Sequence, residues 1–327
     1  MVRPIRWGIL GTGKIACQLT ATLNTMPDAR VVAVGSRSAD TASAFADKFH
    51  IPHRHASYAA LAQDEEVDIV YVATPHTEHA ANTLLCLAAG KPVLCEKPFT
   101  INAREAETVI RAARERGLFL MEAMCTRFIP VVREAVRLIA EGAIGDVKMV
   151  QGDFGFRTDF STEHRLLNPK LGGGALLDVG IYPVSIASFF LGPIVDVAAV
   201  AVLSDTGVDR QTAVSLRHQN GGVAMAYTSI GVNTPLETIV MGTRGRIHLH
   251  APAYNGKSMT LVSDDGASRT IDVPYEGTGY EFELAHAMQC LREGRTESDL
   301  MPLDETLSIM HAMDRIREQI GLRYPGE

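Results

Sequence analysis

Over its first 123 residues the chain alternates short apolar runs with segments of helical period; beyond that, apolar and polar positions mostly alternate. Ile5–Leu10 reads as a strand, and a helical pattern starts at Ile15 and continues through Leu19 and Leu23. Residues 31–34 form a second strand. Residues 67–73 are almost unbroken apolar, as a strand covered on both faces should be, and a helix through Ala81, Leu84, Leu85 and Ala88 follows to Gly90. Residues 92–95 make another buried strand. A helix then opens at Ile101 and closes near Arg116 before Gly117, and residues 118–122 are a last short strand. Strands alternating with helices predict an α/β Rossmann domain with a doubly wound parallel sheet over residues 1–123.

The pattern of residues 124–327 differs. A helix over 130–141 and a turn at 142–146 lead into a strand over 147–156. Strand-like runs follow at 197–203, 213–217, 223–230, 237–241, 246–250 and 269–273, with a hairpin-like turn at 242–245. Consecutive strands without crossover helices predict an α+β domain with a large, mainly antiparallel open sheet. Helices should cover one face of it, and the other should be too apolar to stay wet, which predicts a homodimer or higher homo-oligomer through that face. Two helices close the chain, Tyr280–Arg292 and Leu303–Ile320, each with a Leu and Met stripe that reads as core. This second domain is expected to bind substrate and carry the oligomer contact.

Composition narrows the function classes. Of 327 residues, 46% are hydrophobic and 21% charged, which suits a globular protein with two cores. The formal net charge of −7 argues against a nucleic-acid partner. No run of about 18 apolar residues is evident, so no membrane span is expected. The N-terminus has no leader-like pattern, and the five cysteines are scattered without paired spacing. They read as buried thiols of a cytoplasmic protein.

Candidate chemistry begins at Gly11-Thr12-Gly13-Lys14-Ile15-Ala16, directly after the first strand. Glycine permits a tight turn and lets bare backbone approach a pyrophosphate at a helix N-terminus. The second strand ends in Gly35-Ser36-Arg37-Ser38, where an NAD-binding unit usually places an acid on the ribose 2′-hydroxyl. A hydroxyl and a planar cation stand there instead, which suits a 2′-phosphate, so NADP is expected rather than NAD. Thr74-Pro75-His76-Thr77-Glu78-His79 follows the strand at 67–73. A metal pair at His76 and His79 lacks a third ligand at sensible spacing, so this turn is expected to face cofactor and no metal is expected.

The segment 92–99 is the one the rest is organised around. Its strand stops at Glu96-Lys97-Pro98, where proline blocks continuation and presents Lys97 at the carboxyl edge of the sheet, where ligands bind in such folds. The plainer alternative is a solvated lysine in a strand-to-helix turn. In the second domain, Gly172-Gly173-Gly174 precede Asp178 and Tyr182, four apart and on one face of a helix if regular; the plainer alternative there is a glycine loop capping a buried helix.

The motifs Gly8–Ala16, Thr74-Pro75 with His79, Glu96-Lys97-Pro98 and the segment from Gly172 to Tyr182 together resemble the glucose–fructose oxidoreductase/inositol dehydrogenase (Gfo/Idh/MocA) family, from residue 5 to about 324. Within it, residues 120–128 and 176–182 look most like the dimeric dihydrodiol dehydrogenases and NADP-dependent D-xylose dehydrogenases. Two departures stand out: Tyr182 lies where the wider family commonly has His, and Cys125 where this subgroup usually shows Trp. The resemblance implies an NAD(P)-dependent dehydrogenase or reductase acting on CH–OH groups, with a polyhydroxylated or dicarbonyl small molecule as substrate. It implies Lys97, Tyr182 and Asp178 as catalytic. Gly11, Thr12, Gly13, Lys14 and Ile15, then Ser36 and Arg37, then Thr74, His76, His79, Glu96 and Lys97 would hold the cofactor. Arg127 and Arg165 would join Asp178 and Tyr182 at the substrate. The competing class is a catalytically silent NADP(H)-sensing regulatory or scaffold protein on the same fold.

Overall fold

A computed structural model describes residues 3–159 and 161–327. By its contacts the chain divides into two compact units: residues 1–100, 104–123 and 280–306, and residues 101–103, 124–279 and 307–327. They are not simple halves, because residues 280–306 cluster with the first unit rather than with the segment that precedes them.

The first unit runs β1 (Ile5–Leu10), α1 (Lys14–Leu23), β2 (Ala29–Gly35), α2 (Ala39–Phe49), β3 (His53–His55), α3 (Tyr58–Ala62), β4 (Ile69–Val72), α4 (His79–Ala88), β5 (Val93–Glu96), α5 (Ala103–Arg116) and β6 (Leu120–Ala123). Its six strands are all parallel, in the order β3-β2-β1-β4-β5-β6. Strand order reverses between β1 and β4, the switch point where ligands bind in open α/β sheets. The central strands are buried on both faces because helices cover both; every residue of β4, β5 and β6 is buried. On α5, Ala106, Val109, Ile110 and Ala113 recur at helical spacing and are buried as one stripe. Strand β3 and helices α2 and α3 are additions that the periodicity did not announce.

The second unit begins with α6 (Pro130–Ala140), β7 (Val147–Gly155) and α7 (Ile181–Leu191). Then come β8 (Ile194–Leu203), β9 (Asp209–His218), β10 (Val223–Ser229), β11 (Thr238–Gly242), β12 (Gly245–Leu249), β13 (Ser258–Ser263) and β14 (Ser268–Asp272). They make one eight-stranded sheet in the order β14-β13-β12-β11-β7-β10-β9-β8. All neighbours are antiparallel except β7 and β10. Alternation sorts the faces: on β9, Thr212, Val214, Leu216 and His218 are buried while Ala213, Ser215 and Arg217 are exposed. Helix α7 packs against β7 and β10 on the covered face. The stretch Pro169–Leu191 is long and apolar enough to cross a membrane, which corrects the expectation that no such stretch exists; most of its apolar window is buried inside the protein, as in a core helix.

Helix α8 (Tyr280–Arg292) belongs to the first unit and packs on α1, with Arg292 Nη1 donating to Asp28 at 2.8 Å. Helix α9 (Leu303–Ile320) buries Ile309, Met310, Met313 and Ile316 along one side.

Candidate functional site

Four loops leave the carboxyl ends of β1, β2, β4 and β5 in the first unit, and each carries candidate residues. After β1, Gly11 has φ +110°, and a Cβ there would lie 2.7 Å from the Ala73 carbonyl oxygen, so only glycine fits beside the end of β4. Gly13 is the N-cap of α1 and lacks a side-chain cap; a Cβ added to it would meet no described atom within 4 Å. Among the described residues the first turn of α1 carries no acid. Unsatisfied amides and the positive end of the helix dipole therefore face open space, a cradle that fits a pyrophosphate. Lys14 is exposed beside it, and Thr12 and Ile15 are half-buried.

After β2, Ser36 and Arg37 separate. Ser36 is buried, its hydroxyl paired with that of Thr41 and its amide donating to the His55 carbonyl at 3.1 Å. Arg37 is exposed, no described carboxylate pairs with it, and its guanidinium lies against the Tyr58 phenol. Burial raises the Tyr58 pKa, and Arg37 opposes that rise. The cation is thus the group at this turn that fits a 2′-phosphate, while Ser36 holds the loop.

The turn after β5 is pinned at nearly every residue. Glu96 is buried; Tyr71 Oη donates to its Oε1, and its Oε2 accepts the Lys97 amide at 3.1 Å. Glu122 at β6 accepts the Phe99 amide at 3.1 Å through Oε1 and the Thr306 hydroxyl at 3.1 Å through Oε2. His79, 1% exposed, places Nδ1 2.8 Å from the Pro98 carbonyl and Nε2 2.9 Å from the Thr74 carbonyl. Burial pushes its pKa down, against the pull of the two carbonyls, and the Lys97 charge pushes the same way. The neutral ring donates to one carbonyl at a time. Thr74 is fixed further by Asn82 Nδ2, which donates to its hydroxyl at 3.2 Å. His76 is buried with its ring edge-on to His79, centroids 5.7 Å apart. Lys97 is half-buried at the tip of this frame, and its peptide to Pro98 is cis. Expected to touch cofactor, Glu96 and His79 instead spend their polar atoms on backbone and core. Tyr71 and Glu122, which the sequence did not single out, share that work.

In the second unit, Gly173 and Gly174 serve packing, while Gly172, at φ +70°, ends the turn before them. A Cβ at Gly173 would lie 2.6 Å from the Arg165 carbonyl, and Gly174 has φ +116° and abuts Asp209. Tyr324 Oη donates to the Gly173 carbonyl at 2.6 Å. Residues Leu176–Gly180 are wound as a π-turn before α7, a device often found at functional positions. The regular i, i+4 stacking expected for Asp178 and Tyr182 does not govern here; each is placed by its own partners. Asp178 is buried and accepts from Arg165 Nη1 at 2.8 Å, while the Arg165 side chain is 52% exposed. Tyr182 is half-buried in an aromatic group: its ring centroid is 5.1 Å from that of Phe154 and 6.1 Å from that of Tyr254, and Phe154 and Tyr254 stack at 4.4 Å. Burial, with Cys125 close by, raises the Tyr254 pKa. Phe154 and Tyr254 gave no sequence signal because both come from strand-rich, unpatterned segments.

Arg127 corrects an expectation. It is 0% exposed, donates from Nε to the Ser185 hydroxyl at 3.0 Å and from Nη2 to the Ser185 carbonyl at 2.8 Å, and lies over the Phe189 ring at 4.9 Å. Its guanidinium braces α7 rather than lining a substrate surface.

Residues 5–124 match the oxidoreductase family with NAD-binding Rossmann fold named GFO_IDH_MocA, and residues 132–248 match the GFO/IDH/MocA C-terminal domain. This chain belongs to the Gfo/Idh/MocA oxidoreductase family. Among its relatives, trans-1,2-dihydrobenzene-1,2-diol dehydrogenase of Xenopus laevis is 38% identical over 98% of this chain and 99% of its own. The Homo sapiens enzyme of that name is 36% identical over 98% of each chain. Among solved structures, KijD10, a 3-ketoreductase from Actinomadura kijaniata in complex with NADP and TDP-benzene, is 28% identical with a TM-score of 0.86, covering 97% of this chain and 98% of its own. Aldose-aldose oxidoreductase from Caulobacter crescentus, complexed with glycerol, is 28% identical with a TM-score of 0.88 and 97% of both chains covered. As a Gfo/Idh/MocA member, the chain is an NAD(P)-dependent oxidoreductase, and both the Rossmann sheet and the mainly antiparallel second sheet expected from sequence are present.

Proposed function

We propose that this oxidoreductase moves hydride between NADP(H) and a carbinol or carbonyl carbon of a sugar, dihydrodiol or dicarbonyl substrate. The observation that carries this reading is the turn after β5: three separate hydrogen-bonding groups, Glu96, Glu122 and His79, fix the backbone around one half-buried lysine at the carboxyl edge of the sheet, and Tyr71 holds Glu96 in place. A sensor or scaffold would need only the phosphate cradle at Gly13, not this investment around Lys97.

The bound dinucleotide supplies the hydride donor or acceptor. The open N-terminus of α1 would hold its pyrophosphate, and Arg37 its 2′-phosphate. KijD10 was crystallised with NADP, which supports the same choice here. Hydride leaving a carbinol carbon requires the hydroxyl proton to pass to a base, and reduction requires the reverse. Lys97 Nζ is assigned as the proton carrier, Tyr182 Oη as sharing or relaying that proton, and Asp178 as orienting substrate. Arg165, ion-paired to Asp178 and half exposed, is assigned to the substrate as well. The names of the relatives support small polyhydroxylated or diol substrates.

The open face of the eight-stranded sheet supports a homodimer. Val200 and Val202 on β8, Val223 and Met225 on β10 and Met149 on β7 share that face by register and are exposed, Val200 by 72%.

The test is absorbance of NADPH, and of NADP for the reverse direction, with a panel of aldoses, dihydrodiols and dicarbonyls. Turnover with one class supports the reading; tight NADP(H) binding with no turnover on any of them supports the sensor instead.

A further inference from the structure

His53 and His55 are the two ends of the edge strand β3, two residues apart, so both side chains leave the same face. Asp64 meets them from just beyond α3. His53 Nδ1 lies 2.7 Å and His55 Nε2 2.8 Å from one and the same atom, Asp64 Oδ2. The other carboxylate oxygen, Oδ1, accepts the Glu66 amide at 2.9 Å, which fixes the orientation of the group. The Asp64 side chain is 7% exposed, while those of His53 and His55 are 40% and 23% exposed. Burial raises the Asp64 pKa, but hydrogen bonds from the two imidazoles and the Glu66 amide together more than offset it and hold the carboxyl below its ordinary range. Lys91 Nζ sits close by but donates to the backbone carbonyls of Asp64 and Val67, leaving the carboxylate to the histidines.

We propose that His53 Nδ1, His55 Nε2 and Asp64 Oδ2 form a binding site for a zinc-class divalent cation, such as Zn²⁺, Co²⁺ or Ni²⁺. The three ligand atoms already lie within 4.8 Å of one another. Two imidazole nitrogens with one carboxylate oxygen select transition metals over Ca²⁺ and Mg²⁺, which take all-oxygen shells. Metal–ligand distances of about 2.0–2.2 Å in tetrahedral geometry need ligand atoms roughly 3.3 Å apart, so the two contacts open by about half an ångström. Each neutral imidazole moves the proton it now directs at Oδ2 to its other ring nitrogen, so that no net proton is lost, and the cation takes the vacated place between the ring lone pairs and Oδ2. The exposed histidine rims leave a fourth position to water, and the Glu66 amide, donating to Oδ1, supplies the outer hydrogen bond that orients the ligating carboxylate.

The consequence is local. Strand β3 pairs with β2, His53 opposite Ala33 and His55 opposite Gly35, and the His55 carbonyl accepts the Ser36 amide. A cation here ties the end of α3 to the strand that backs the Ser36–Arg37 turn. It is a structural clamp and takes no part in proton or hydride transfer.

The experiment is isothermal titration of Zn²⁺ into tag-free, chelator-treated full chain, for wild type, the double variant His53→Ala/His55→Ala and the variant Asp64→Asn. Co²⁺ titration followed by visible absorbance runs alongside. Wild type should bind one equivalent of Zn²⁺ and give the absorption bands of four-coordinate Co²⁺. Both variants should bind at least about tenfold more weakly and lose those bands. Asp64→Asn keeps the shape of the side chain, so it reports even where the double variant folds poorly. Absence of saturable Zn²⁺ binding in wild type, or equal affinity in wild type and Asp64→Asn, overturns the proposal.

Discussion

His79 Nδ1 stands 2.8 Å from the carbonyl oxygen of Pro98, and through that contact the first residue of α4 holds the turn that carries Lys97. The other ring nitrogen faces the Thr74 carbonyl, so one buried imidazole ties together the loops after β4 and β5. A positioning role predicts a particular kinetic signature. His79→Ala should lower kcat by about 10- to 100-fold, because a displacement of order 1 Å at a reacting group costs that much, while NADP(H) affinity changes far less. His79→Gln, which restores a donor, should recover part of the loss. Steady-state kinetics with separate cofactor titration check this. An equal loss of cofactor affinity and kcat would show that His79 touches cofactor directly.

Arg37 gives the second prediction. It is exposed and has no carboxylate partner among the described residues, and truncation removes its contact with the Tyr58 phenol. Arg37→Ala should weaken NADP binding by about 1.5–3 kcal/mol, the worth of a charged hydrogen bond, and leave NAD nearly unchanged. Fluorescence titration of both cofactors measures it. Equal losses for the two would remove the 2′-phosphate from Arg37.

Much of this was legible in the sequence, and the misses have physical causes. The parallel sheet was readable because its strands are buried on both faces, so apolar runs such as residues 67–73 stand out against amphipathic helices. Strand β3 was not, because His53-Arg54-His55 is a polar edge strand whose stability comes from pairing with β2 rather than from burial. Helix α2 was hidden by its Ala-rich composition, although Ser38 caps it by accepting the Thr41 amide. At the site, Lys97 and the Gly11–Gly13 turn follow from local sequence alone. Glu122 and Thr306 meet across 184 residues of chain, and no local pattern reports such a contact. Arg127 was misplaced for the opposite reason: a charged residue is expected at a surface, but Ser185 and the Phe189 ring satisfy it inside.

The open face of the eight-stranded sheet makes a prediction about assembly. Val200 is exposed by 72% on β8, next to Val202, and its backbone is already paired with Ala213 on β9. Val200→Lys should leave the fold intact and convert a dimer to a monomer, because a buried ammonium without a partner costs more than such an interface tolerates. Multi-angle light scattering decides it. A monomeric wild type at micromolar concentration contradicts the dimer.

Asp209 makes a prediction about pH. It is wholly buried, its Oδ2 accepting the Leu176 amide at 2.8 Å and the Thr212 hydroxyl at 2.6 Å, and burial lifts its pKa to about 6. The native state therefore holds this proton more tightly than the unfolded chain does. The stability it contributes is full below the ordinary carboxylate range and is lost as pH rises through about 6. Asp209→Asn should remove that dependence, so the variant gains on wild type by up to about 3 kcal/mol between about pH 4 and pH 7. Melting curves of both proteins across that range measure the difference. A constant gap between them would place the Asp209 pKa near its ordinary value.

The central claim is that Lys97 carries the proton that accompanies hydride transfer, with Tyr182 in support. The most direct measurement is kcat for Lys97→Met and Tyr182→Phe on the best substrate found, with NADP(H) affinity determined independently for each. Loss of general acid–base help slows chemistry by about two to four orders of magnitude. Lys97→Met should fall by that amount while still binding cofactor, and Tyr182→Phe should fall less. Near wild-type turnover in Lys97→Met beside an inactive Tyr182→Phe would reverse the two roles and contradict the assignment.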